Sequence, residues 1–162
     1  MPDLTPIELG TSPDEDERLY VHDVYNSIAT HFSQTRYKPW PLISAFLASI
    51  PRGSIGLDSG TGNGKYLPLD LGGAICTVGL DRSSNLLQIA KRAGDKDRDV
   101  VLGDAMGFGW RAGAFVSCLC FTPVHIEEIL SLAKDFAISI ATIHHLSTAE
   151  RRCRAIQARH DM

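Results

Sequence analysis

A chain of 162 residues, 44% hydrophobic and 22% charged, is long enough to build one domain with a substantial core. Its net charge of −3 excludes a global attraction to nucleic acid or anionic membranes, so any RNA contact has to come from a local basic patch. No apolar run reaches membrane-span length, no signal pattern opens the chain, and the four cysteines lack framework spacing, which predicts a cytoplasmic (also nuclear) protein with free thiols.

In chain order, residues 1–18 are acidic, contain Pro2, Pro6 and Pro13, and show no periodicity. They are expected to be a disordered tail before a single domain over 19–162. Helical spacing begins with Leu19, Val21, Val24, Ile28 and Phe32, and the prolines of Arg36-Tyr37-Lys38-Pro39-Trp40-Pro41 end it. Leu42, Ile43, Phe46, Leu47 and Ile50 restore the period. Short apolar strands are predicted at 54–57, 75–80, 99–102 and 136–141, with a turn or helix starting at 65–67 and a helix at 84–92. Ser147-Thr148-Ala149-Glu150 reads as a capping box opening a last helix that runs to Arg159. Strands alternating with helices predict an α/β fold: an open, mainly parallel sheet with helices on both faces.

The strongest local signal is Asp58-Ser59-Gly60-Thr61-Gly62-Asn63-Gly64, directly after the first strand. Glycines at alternate positions let a backbone turn sharply and approach a ligand. The spacing is not the G-x-G-x-x-G of nicotinamide binding, because the third glycine arrives one residue early. An acid beside a pyrophosphate would be repulsive, whereas Asp58 suits a cation such as the ammonium or sulfonium of S-adenosylmethionine (SAM). Asp81 ends the second strand about 20 residues further on, where a carboxylate can accept from ribose hydroxyls or cap the next helix. Asp104 follows the third strand, placed for an adenine amino group or as a polar loop residue. Ligands of open α/β sheets bind beyond the carboxyl ends of the strands. The expected cofactor set is Asp58, Gly60, Gly62, Asn63, Gly64, Asp81, Arg82, Asp104 and Ala105.

The segments His31–Pro41, Asp58–Leu67, Asp81–Ser83 and Asp135–Thr148 together resemble the eukaryotic tRNA wobble-uridine methyltransferases. The same domain occurs in AlkB-type hydroxylase–methyltransferase fusions. The resemblance spans roughly 20–104 and 135–157, and Arg-Tyr-Lys-Pro-Trp-Pro and Ile-His-His-Leu-Ser are its most specific stretches. It implies a Rossmann-like class I fold and methyl transfer from SAM to the carboxylate of 5-carboxymethyluridine at the wobble position. It also implies a small zinc-binding activator subunit as partner. Two positions depart from the family: Thr61 stands where Cys is usual, and Ser59 where Val, Ala or Gly is common.

A carboxylate substrate is ionised at neutral pH, so its attack on a methyl group needs no general base. No catalytic residue and no metal ligand are assigned. Arg36, Tyr37, Lys38 and Trp40 are the candidates for the anticodon nucleotide, through charge and base stacking; the alternative is that Trp40 and Tyr37 pack the N-terminal helix onto the sheet while the cations are solvated. Of His144 and His145, neighbours in sequence point apart, so one at most is expected to line the site, and His144 is taken. Arg151, Arg152, Arg154 and Arg159 form a basic helix expected to be a solvated face.

Residues 116–134 fit no part of the resemblance, and deleting them joins Phe115 to Asp135 in an ordinary loop. They are read as a short intron translated in frame or, alternatively, as a true insert with a helix through Ile126, Ile129, Leu130 and Leu132. Cys118, Cys120 and His125 lack a fourth zinc ligand at suitable spacing. C-terminal strands usual for the fold class are expected to be missing, leaving an apolar edge on the fourth strand and weak or no activity. A small-molecule SAM methyltransferase, or an inactive form that binds only SAM or a partner subunit, remain alternatives.

Overall fold

The computed structural model describes residues 12–106, 117–120 and 135–160. Five strands form one sheet: β1 (Ile55–Ser59), β2 (Cys76–Asp81), β3 (Val100–Leu102), β4 (Ser117–Cys120) and β5 (Phe136–Ser139). Their order is β3-β2-β1-β5-β4 and every pairing is parallel. Parallel strands all finish at one edge, so the loops leaving β1, β2, β3 and β5 converge there. That edge positions the site.

The core follows from the pleat. Phe136, Ile138 and Ile140 pack with Ile43, Phe46, Leu47 and Ile50 of α3 (Pro41–Ser49) and its cap, together with Tyr66 and Ile75. Phe46 and Phe136 meet edge to face at 6.2 Å, the geometry their ring quadrupoles favour. Gly56 is glycine because the Phe136 ring occupies the place of a Cβ. Leu57 and Ala137, on the opposite pleat, are also fully buried. Both faces of the central strands are therefore covered, as the sequence predicts.

The remaining helices shield the sheet and its edge. Helix α4 (Ser84–Ala90) starts where the Ser83 hydroxyl accepts the Leu86 N–H, and it buries Leu86, Leu87 and Ala90. Helix α2 (Asp23–Thr35) packs on α4 and is preceded by α1 (Pro13–Glu17) and a π-helical turn, Arg18–His22. Between β1 and β2 the chain makes successive turns over 62–68 rather than a helix. At the far edge, Arg98 (5% exposed) clamps the loops entering β2 and β3 by bonding Asp70, Asp95 and the Ala93 carbonyl.

Three expectations change. Residues 12–17 are not part of a disordered tail: they fold as a cap and helix because Glu17, 2% exposed, receives hydrogen bonds from the Ser147 N–H and hydroxyl and from Arg151. The apolar edge expected on the fourth strand is covered, since 117–120, inside the atypical segment, pair with Phe136–Ser139 as β4. The last helix, α5 (Ala149–His160), is capped by Thr148, whose hydroxyl accepts the Arg151 N–H; Ser147 is taken by Glu17. The helix expected around 126–132, and His125, lie outside the described residues.

Candidate active site

Beyond the carboxyl ends of the strands lies a cavity of about 890 Å³, large enough for a nucleoside-sized ligand. Asp58, Asp81 and Asp104 all line it, together with Gly60, Gly62, Asn63, Arg82 and Ala105. The three carboxylates that end neighbouring strands thus share one pocket.

Each acid has a distinct job in the local chain. Asp58 is 1% exposed and its carboxylate accepts the Thr61 hydroxyl at 2.8 Å. Burial pushes its pKa up to about 7, against the pull of the Thr61 hydrogen bond, with Asp81's charge adding to the rise. Asp81 accepts the Gly62 N–H at 2.8 Å and the Ser83 N–H at 2.9 Å, so it holds the glycine bend to the start of α4. The helix cap itself is Ser83. Asp104 accepts the Met106 N–H and pairs with Arg82 at 3.0 Å. Both partners of that pair are 36% exposed, so the contact organises the rim more than it stabilises the fold.

The glycines divide by role. Gly60 and Gly62 have φ of +81° and +58° and line the cavity, and a side chain at Gly60 would run into Thr142. Gly64, assigned to the ligand from spacing, does not line it. Its Cβ would stand 2.8 Å from the Ala90 backbone at a φ of +73°, so this glycine serves the approach of the loop to α4. Gly64→Ala is therefore expected to destabilise the ligand-free protein by about 2 kcal/mol or more. Thermal unfolding without ligand checks this, and an unchanged midpoint would contradict it.

Arg36, Tyr37, Lys38, Trp40 and His144 line the same cavity. Tyr37 and Trp40 are 60% and 46% exposed, which places them at the rim and not in the core. Both histidines line the cavity, correcting the expectation of one: a 3₁₀ turn, Ile143–His145, sets their rings 4.0 Å apart, tilted by 42°. His145 Nε2 hydrogen-bonds Tyr25 Oη at 3.0 Å. Burial, then the neighbouring His144 and His22, lower the His145 pKa, and burial with Arg82 lowers that of His22.

Sequence reasoning missed His22, Tyr25, Lys65 and Thr142 as lining residues. The available signal was the polar run His22, Tyr25 and Asn26 inside an apolar helical stripe. Asn26 binds Ser83 and Asn85 of α4, so this face of α2 is locked onto the site. The basic helix is only partly a solvated face. Arg151 is fastened to Glu17 and Asp14, and Arg152 donates to the Leu146 carbonyl. Among the described residues no cluster could hold a metal and no helix is long and apolar enough to cross a membrane. Cys76 and Cys153 are free thiols.

Comparison with solved structures gives the class first. Magnesium protoporphyrin IX methyltransferase from Synechocystis, solved with bound SAM, superposes with a TM-score of 0.59 at 17% identity, covering 88% of this chain and 70% of that one. A complex of the Haloferax volcanii Trm112 methyltransferase activator with a methyltransferase gives 0.57 at 16% identity, over 83% and 53% of the two chains. The fold is that of the class I SAM-dependent methyltransferases. Closer relatives carry a particular name. A Xenopus tropicalis protein named tRNA (carboxymethyluridine(34)-5-O)-methyltransferase alkbh8 is 44% identical over 150 residues, which is 93% of this chain and 20% of that protein. The Saccharomyces cerevisiae tRNA (carboxymethyluridine(34)-5-O)-methyltransferase is 43% identical over 143 residues, 88% of this chain and 43% of the yeast protein. The resemblance read from the residues is borne out by these homologues. The chain spans between a fifth and a half of their length. No family model matches it.

Proposed function

We propose that this chain binds SAM and takes part in methylating the carboxylate of 5-carboxymethyluridine at the wobble position of tRNA. The observation that carries the reading is the convergence on one cavity of three strand-end carboxylates and of the Arg36–Trp40 segment with His144. Homology over about nine-tenths of the chain to proteins named for this reaction supports it.

The residues present fit SAM. A buried carboxylate at Asp58, the bend at Gly60 and Gly62, and acids at Asp81 and Asp104 offer partners for a cationic amino acid, a ribose and an adenine. When bound, SAM supplies an electrophilic methyl group on a sulfonium. The chain's own contribution is positioning: an already ionised substrate carboxylate requires orientation and exclusion of water, not proton removal. His22 and His145, whose pKa values burial lowers, line that site. Arg36, Lys38, Tyr37 and Trp40 at the rim supply charge and stacking for an unpaired nucleotide.

The partner is a small zinc-binding activator subunit. Among the described residues no strand pairs with the outer edge of β3, where Val101 and Leu102 are 42% and 63% exposed, and this edge suits it. We place the protein in the cytoplasm and nucleus.

The test is methyl transfer from labelled SAM to an anticodon stem-loop, with the activator subunit present. A base-labile methyl ester on the 5-carboxymethyluridine stem-loop, and none on its uridine counterpart, is the expected result. SAM binding without transfer to that stem-loop would restrict the chain to donor binding, and transfer to a small molecule instead would replace the reading.

A further inference from the structure

Lys65 follows the glycine bend directly and lines the cavity. Its ammonium lies 5.4 Å from the Trp40 ring and 5.0 Å from the Tyr66 ring, so two aromatic faces hold it at the wall. Tyr66 is 3% exposed and fixes this end of the cavity. Of the other half-buried or buried cations, Arg98 pairs with Asp70, Arg151 with Glu17, and Arg152 donates to the Leu146 carbonyl. Among the described residues no carboxylate lies within ion-pair distance of Lys65. Burial lowers its pKa, Asp58 works against that fall, and Arg36 adds to it. Arg36 is a second cation on the same wall, with its guanidinium 5.7 Å from the Phe32 ring. Lys65 is half-buried and Arg36 exposed, and like charges brought together at one wall repel unless an anion joins them.

We propose that Lys65, together with Arg36, forms a carboxylate-binding pair at the end of the cavity beside the glycine bend. The anion is a carboxylate because the position is enclosed by rings and lies within Coulomb reach of Asp58, which complements an ammonium. Two ligands of the proposed reaction carry that group: the amino-acid end of SAM and the 5-carboxymethyl arm of the uridine. Lys65 is a binding residue and takes no part in bond making. The inference rests on the reading of the cavity as a donor and substrate site.

The experiment compares Lys65→Met, which keeps the aliphatic length, and Lys65→Arg, which keeps the charge, with the unaltered protein. Calorimetry measures Kd for SAM and decarboxylated SAM, and for anticodon stem-loops bearing 5-carboxymethyluridine or its uncharged methyl ester. Lys65→Met is expected to weaken one carboxylate-bearing ligand about tenfold while leaving its carboxylate-free counterpart unchanged, and Lys65→Arg to stay near the unaltered value. Loss confined to the SAM pair assigns the donor carboxylate, and loss confined to the stem-loop pair assigns the substrate. Equal weakening of both members of each pair, or of neither, overturns the proposal while leaving the functional reading intact. Failure of the unaltered protein to bind any of the four overturns that reading and the proposal with it.

Discussion

Replacing Asp58 with asparagine is expected to stabilise the protein at pH 8 while removing most of its affinity for a cationic ligand. The unfolded carboxylate titrates near 3.8, whereas burial raises the folded value to about 7. Between these values the folded state keeps a proton that the unfolded state releases. The stability from this group is therefore fully present below the unfolded pKa and is lost as pH rises through the folded one. Asparagine cannot ionise, and its amide oxygen can still accept the Thr61 hydroxyl. The gain should be small at pH 4 and reach at most about 4 kcal/mol at pH 8, or roughly 10 °C in Tm. Ligand binding runs the other way. An ammonium or sulfonium needs the ionised form, so SAM affinity of the unaltered protein should rise about tenfold from pH 6 to pH 8. In Asp58→Asn it should be weaker by at least about tenfold and flat with pH. Equal unfolding midpoints for the two proteins at pH 8 would contradict the account.

The second large effect lies at the other end of the chain. Glu17→Gln is expected to cost about 2 kcal/mol, because it leaves the Arg151 side chain, 12% exposed, with only the exposed Asp14 as counter-charge. Burial by itself would raise the Glu17 pKa, but the hydrogen bonds from Arg151 and Ser147 outweigh it and hold the group below its ordinary 4.5. This stability is present above the unfolded pKa and disappears as pH falls through the lowered folded value. The penalty of the substitution should thus be full at neutral pH and vanish in acid, the reverse of the Asp58 profile. Unfolding midpoints from pH 3 to pH 7 read it directly. Because Glu17 also grips Ser147, next to the turn that carries His144 and His145, donor and substrate affinity should fall with it.

What the sequence makes legible depends on the range of the cause. Asp58, Asp81 and Asp104 were readable together because a parallel sheet brings strand ends to one edge, and period and spacing reveal the strands. The Arg36–Trp40 segment was readable as a break between two helical periods. Glu17 was not, since its partner Arg151 is 134 residues away and an acid among acids signals only solvent. Gly64 was misread because φ > 0 and close packing leave the same mark on a sequence as ligand approach. The π-helical turn at Arg18–His22 carries no period of its own, so His22 looked like one more helix position until the turn placed it against the cavity. Thr148 won the cap from Ser147 because a buried carboxylate is the stronger acceptor for Ser147.

The strand at 117–120 occupies a place with consequences for assembly. It satisfies the backbone of Phe136–Ser139 on the side away from β1, and a main-chain ladder admits one neighbour per side. Any additional strand that extends this side of the sheet must therefore dock outboard of Ser117–Cys120 or evict it. Eviction would exchange one set of ladder hydrogen bonds for another at little net cost. The short strand Ser117–Cys120 thus acts as a placeholder, and its removal should free that seat for another strand.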